Sequence, residues 1–345
     1  MPNAARAITA RTTALAAAAL LSLAAAGCAS ALPEPIDLVP ADANFVANVE
    51  LGRILLDPDV ASAFESAPLG EDAPASLEDA LAEVEAETGI DLLQFSRLVV
   101  FGVFDPTADT DGEMGFGAGG EFGILARGTF DGDAILDRIR LGSDGDLRED
   151  EYRDHALLIG TEEDGSETVM TVLADEVFVF GTLGAVTSVI DVLEDGEGAL
   201  AGPLLDTYVA LGDPLVKAAF AMPPDALEGL SSGAADLLPI PFDPSLIWDI
   251  EIVGFAADKG ADLVTVNLTL EYATPAQAEG ASDFFGALLT LAGPFLPTGP
   301  AADLIDLIDI SNAEATVTIS FSATVDQLSA AAEEYGESGL DPIPE

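Results

Sequence analysis

Gly229-Leu-Ser231-Ser-Gly233 has the G-x-S-x-G spacing that lifts a serine nucleophile on a tight turn between a strand and a helix. That chemistry also needs a histidine later in the chain to take the serine's proton. The only histidine, His155, lies upstream, and a helix-like segment rather than a strand precedes the motif. The run therefore reads as a Gly/Ser loop. Gly115-Phe-Gly117-Ala-Gly-Gly120 has the spacing of a dinucleotide fingerprint. Such a site needs a helix N-terminus after the glycines to receive the pyrophosphate, and here they feed the strand-like EFGILA. It too reads as a loop.

Asp105, Asp109, Asp111 and Glu113 crowd one short stretch, and hard cations such as calcium take several carboxylate oxygens. These four are weak cation candidates. With Gly112 at the sixth place of a twelve-residue calcium loop, Thr107 falls first and Ala118 last, and neither carries a carboxylate. A second acidic run, Asp144 to Asp154, is interrupted by Arg148 and Arg153. Zinc, haem and iron–sulfur sites need sets of histidine or cysteine. One of each cannot supply them, so no cofactor is expected. With no nucleophile–base set the chain is not expected to be an enzyme, a carboxylate-only hydrolase or cation-binding module at Asp105–Glu113 being the alternative.

Two apolar, proline-rich segments are better placed to bind something. Pro239, Ile240, Phe242 and Trp248, with Phe295 and Leu296, are candidates to rim an apolar pocket between a sheet and its helices, or to form a contact surface. The bland reading of both segments is loops that cover the core.

Charge bounds the partners. The chain carries 11 Lys+Arg against 62 Asp+Glu, a net charge of −51. Such a surface repels phosphate backbones, which excludes nucleic acid. Self-repulsion of this size is tolerable where salt shortens the Debye length from about 8 Å to about 3 Å, so the charge reads as adaptation to a saline or cation-rich exterior. Apolar residues make up 49% of the chain in periodic blocks, which predicts a packed core.

Arg6 and Arg11 precede the small apolar run Thr12 to Ala26, no acid occurs before Glu34, and Ala25-Ala26-Gly27-Cys28 closes the run. That order is the plan of an export signal. Ending on the chain's single cysteine, it resembles the lipobox of bacterial lipoproteins, with Ala25 where that pattern prefers leucine. The resemblance implies cleavage before Cys28, acylation of its thiol, and an anchor on the extracytoplasmic side of the cell envelope. Ala29 in place of Asp implies outer-membrane sorting in a two-membrane cell. Phe284 to Ala302 is uncharged, but Gly293-Pro294, Pro297 and Gly299-Pro300 break it too early for a membrane-crossing helix.

Beyond a tether at 28–38, the chain repeats one grammar, an apolar strand running into a helix. Phe122 to Thr129 leads into Asp131 to Arg140, and Glu176 to Thr182 into Leu183 to Leu193. Thr274-Pro-Ala-Gln277 and Thr324-Val-Asp-Gln327 are capping boxes, and Ser76-Leu-Glu-Asp79 opens another helix. Turns at Glu163–Ser166 and Lys259-Gly260 predict antiparallel hairpins. Asn44–Glu50 resembles Leu215–Ala221, and the following strands match in order. The expectation is an α+β fold of antiparallel sheets with helices packed on one face, in two degenerate repeated halves: 1–27 signal, 28–38 tether, 39–198 and 199–336 halves, 337–345 acidic tail. Leu38-Val-Pro-Ala-Asp-Ala43 resembles the opening of duplicated, exported bacterial proteins of unknown function. The expected role is a lipid-anchored extracytoplasmic binding or scaffold protein. An apolar-ligand carrier is the second reading, with the membrane through Cys28, an apolar ligand or a protein as partners.

Overall fold

The computed structural model describes residues 33–66, 74–88, 90–103, 120–142, 147–161, 166–173, 176–222, 249–292 and 299–337. Cys28, the Asp105–Glu113 loop, Gly229–Gly233, Pro239, Ile240, Phe242, Trp248, Phe295 and Leu296 lie outside these residues. In chain order the elements are β1 (Phe45–Val49), α1 (Leu51–Leu55), α2 (Pro58–Ser66), α3 (Leu77–Thr88), β2 (Phe95–Gly102), β3 (Phe122–Gly128) and α4 (Gly132–Gly142). Then come β4 (Arg148–Tyr152), β5 (His155–Thr161), β6 (Glu167–Leu173), β7 (Val177–Gly181), α5 (Leu183–Asp195) and α6 (Pro203–Ala210). The second half holds β8 (Val216–Ala221), β9 (Ile250–Lys259), β10 (Leu263–Tyr272), α7 (Pro275–Ala292), α8 (Pro300–Asp303), β11 (Ile308–Ala313), β12 (Thr316–Thr324) and α9 (Val325–Glu337).

The fold is α+β, and its strands form one twelve-stranded antiparallel sheet in the order β11-β12-β10-β9-β8-β1-β2-β3-β7-β6-β5-β4. Its middle is the pair β1–β8, from Phe45 opposite Phe220 to Val49 opposite Val216. Read outward from this seam, β1-β2-β3-β7 runs one way and β8-β9-β10-β12 the other, with α4 after β3 and α7 after β10. A single sheet therefore spans the boundary at residue 199. The connection itself is pinned, since Leu200 N–H donates to the Val39 carbonyl at 2.7 Å.

Alternation assigns the two faces. Val46, Val99, Leu125 and Val179 share what we term the front and are fully buried. Above them lies α5, whose Val186, Val189 and Ile190 recur at helical spacing and are also fully buried. It starts on the Thr182 side chain, which accepts from Ala185 N–H, and ends at Gly196 with φ 65°, where glycine takes the left-handed conformation at no steric cost. The β4–β5 hairpin docks on the same helix: Tyr152 donates to Asp191 at 2.9 Å and His155 Nε2 lies 2.9 Å from Glu194. In the second half α6 takes the front. Thr207 donates to Glu271 at 2.6 Å, and Gly254 below it leaves room for the Thr207 and Leu211 side chains.

On the back, Ile135 and Ile139 of α4 pack with Ala126, Val172 and Phe178. Ala278, Ala281 and Phe285 of α7 pack with Leu270 and Val317. The expectation of helices on one face is thus corrected: they are divided between two. The cause is visible in β3, where Leu125 and Ala126 are adjacent, point to opposite faces and are both buried. A strand apolar on both sides needs cover on both. His155 begins β5, one strand inside the edge strand β4.

Candidate functional site

The candidate site grows from a difference between the two faces. Near the seam the front is sealed, whereas the back keeps an apolar row that is only part-covered. Ile124, Val100, Ala47, Ala218, Phe255 and Leu268 lie side by side on β3, β2, β1, β8, β9 and β10. Five are half-buried, and Phe255 is 37% exposed. At about 4.8 Å between strands the row is about 24 Å long. Helix α4 covers Ala126, two residues along β3 from the row, and α7 covers Leu270, two residues along β10 on the opposite side, with Leu268 at the row's end packed against the same cluster. What remains is an apolar strip crossing the seam between two helices, with no charged or hydrogen-bonding side chain in it.

Beside the middle of the strip, past Val49 and Val216, lies a charged groove of about 600 Å³ between the α1–α2 turn and the ends of β1, β8 and β9. Asp57 builds its wall. As the cap of α2 it accepts from Asp59 N–H at 2.8 Å, ahead of Pro58 in the first turn. The same carboxylate accepts from Lys259 Nζ at 2.7 Å, 202 residues away, and Asp59 lies 2.9 Å from the same nitrogen. The ammonium holds the Asp57 carboxyl below its ordinary range, and the two carboxylates raise Lys259 above its own. Arg53 reaches Asp258 at 3.2 Å and the Asp213 carbonyl at 3.3 Å. Glu50 accepts from Arg97 Nε at 2.6 Å and from Asn48 Nδ2 at 3.1 Å.

Lys217, cross-strand neighbour of Asn48 on the front, is buried. Its ammonium donates to the Gly212 carbonyl at 2.5 Å and lies 4.1 Å from the Tyr208 ring centroid. Burial pushes its pKa down. The only two lysines of the chain, with Arg53 and Arg97, thus gather where the halves meet. Asn48 Oδ1 is buried there without a hydrogen-bond partner. A second cleft, of about 460 Å³ on the front, has a mixed lining, Asp213, Asp258, Thr265 and Asn267 beside Leu211 and Leu263.

Of the residues weighed for chemistry in the sequence, His155 lies 2.9 Å from Glu194, far along the sheet from the strip, and in the second acidic run Arg148 pairs with Asp150 and Glu167 and Arg153 with Asp191 and Asp195. Among the described residues, no three His, Cys, Asp or Glu side chains are grouped to hold a metal ion, and no helix is long and apolar enough to cross a membrane. Sequence reasoning missed both the strip and the groove. The Asp57-Pro58 pair was a usable helix-start signal for one wall. Nothing local marks Phe255, whose exposure depends on where two distant helices end.

No protein-family model and no curated protein matches the chain. Among solved structures, it is similar to TP0453 in crystal form III at 11% identity and TM-score 0.47, over 88% of this chain and 98% of that one. Crystal form I of TP0453 gives 10% identity and TM-score 0.46 over the same shares.

Proposed function

We propose that this is a lipid-anchored extracytoplasmic protein, acylated at Cys28, whose folded part binds an apolar ligand such as a lipid and performs no catalysis. The observation that carries the binding role is the part-covered apolar row on the back of the sheet. Antiparallel sheets leave one face to water when that face is polar. Here the exposed stretch is apolar, and contiguous exposed apolar surface marks contact with a ligand or partner. The anchor rests on the Arg6-to-Cys28 pattern and its likeness to a lipobox.

The binding role is tested by native mass spectrometry on residues 29–345, purified in high salt without detergent. All twelve strands lie between Phe45 and Thr324, so this chain keeps the sheet entire. Adducts of lipid mass are expected, and Phe255→Asp removes them while the protein still unfolds cooperatively. A bare mass from protein drawn from a lipid-containing host sinks the carrier reading and leaves a scaffold. The anchor is tested by Cys28→Ala, which is expected to prevent mass gain from acylation.

A further inference from the structure

We propose that the charged groove beside the middle of the strip receives a zwitterionic headgroup, so that the ligand is a zwitterionic lipid rather than an anionic or headless one. This rests on the reading of the strip as an apolar-ligand site. The two features are continuous along the chain. Val49 and Val216, on the back of the sheet, are followed and preceded by Glu50 and Leu215, which line the groove. Ala257 shares the back with Lys259, two residues on, another lining residue. A headgroup held in the groove therefore directs its tail along Val49 and Val216 onto the middle of the strip.

The groove's chemistry sets the headgroup class. It presents both signs of charge within one cavity, Arg53 and Lys259 against Glu50 and Asp57. Each cation already faces a carboxylate, so the groove offers no excess positive charge. The chain's net charge of −51 opposes the approach of an anion from every side. It opposes a second copy of the chain for the same reason. A zwitterion brings no net charge. Its phosphate can lie against Arg53, whose side chain is 49% exposed, while its ammonium lies against Asp59, 48% exposed, outside the groove's own lining but beside its lining residues Pro58 and Lys259. Such charge-assisted contacts are directional and favour the headgroup that can make both.

The test offers the 29–345 chain three lipids with identical oleoyl chains: phosphatidylethanolamine, phosphatidylglycerol and diacylglycerol. Retention is read by native mass spectrometry at matched concentrations. The zwitterionic lipid is expected to be retained about tenfold more than either competitor, one decade in affinity. Equal retention of all three, or preference for phosphatidylglycerol, overturns the headgroup assignment and leaves the strip standing. Retention of none overturns the strip with it. Arg53→Gln, at a half-exposed position, is expected to bring phosphatidylethanolamine down to the diacylglycerol level and leave diacylglycerol unchanged. A preference that survives both Arg53→Gln and Lys259→Gln overturns the assignment.

Discussion

Phe95 and Ile250 occupy matching places in the two halves of the sheet, each turned onto the back by a one-residue irregularity. Phe95 pairs with Gly128 while Arg97 pairs with Arg127, so Ser96 is extra. Ile250 pairs with Tyr272 while Ile252 pairs with Glu271, so Glu251 is extra. Each irregularity sits at the start of its strand, β2 or β9, opposite the end of β3 or β10, just before α4 or α7. A bulge of this kind reverses which side of the strand faces the core. Without it, Phe95 and Ile250 would point to the front, away from the helices they support.

Those two side chains are expected to be costly to truncate. Phe95 is 4% exposed, 5.1 Å from the Phe130 ring, and Ile250 is 9% exposed in the α7 cluster. Phe95→Ala should destabilise by about 3–5 kcal/mol and Ile250→Ala by about 2–5 kcal/mol. Urea unfolding at constant m-value measures both. Losses below about 1 kcal/mol would mean that the bulges do not aim these residues into a tight core.

Asp57→Asn keeps the helix cap and removes only the charge facing Lys259. The Asp57 pKa is lower folded than its ordinary 3.8, so its contribution is fully present above that value and is lost as pH falls through the folded pKa. The Lys259 pKa is raised above 10.5, so its share is present below that value and is lost as pH rises through the folded pKa. The stability difference between wild type and Asp57→Asn should therefore be flat near neutrality and shrink at both extremes. A difference that persists unchanged in acid would assign the effect to something other than this pair.

Lys217 behaves in the opposite sense. Burial lowers its pKa below 10.5, opposed by Asp213 and Glu50 and assisted by Arg97. Between the folded pKa and 10.5 the unfolded chain holds more protons, so stability rises with pH across that window. Lys217→Met should be at least as stable as wild type at neutral pH, because a buried charge is removed together with its desolvation cost. It should also lose the alkaline rise, which urea titrations at successive pH values will show. A wild type that loses stability through that window more steeply than Lys217→Met would contradict the assignment.

The melting temperature should climb with NaCl and KCl alike, because screening of 62 carboxylates is the cause. A rise with one salt alone would point to a specific cation site in place of screening.

Local structure was legible because local chemistry sets it. The capping boxes form as expected: Gln277 N–H donates to Thr274 Oγ1 at 3.4 Å, and Gln327 N–H to Thr324 Oγ1 at 3.2 Å. Helix α5 runs from Leu183 as the apolar spacing indicates, and β5 and β6 pair antiparallel as a hairpin would. Strand β4 was not legible. Arg148–Tyr152 is REDEY, exposed along most of its length, and its charges carry the signature of an acidic loop while in the fold they guard a sheet edge. The division of helices between faces escaped for a different reason: it follows from which strands become neighbours. The strip and the groove are the extreme case, since Ala47 meets Ala218, and Asp57 meets Lys259, only after the whole sheet closes.

The seam between β1 and β8 has a consequence for what a half of this molecule would be. Each of these strands is an interior strand only because the other is present. Expressed alone, either half would present a bare ladder of backbone donors and acceptors beside an apolar phenylalanine, Phe45 in one case and Phe220 in the other. Its most complementary partner would be another copy of itself, joined as β1 and β8 are joined now. The present chain is a self-satisfied pair, with dimerisation built in as covalent order.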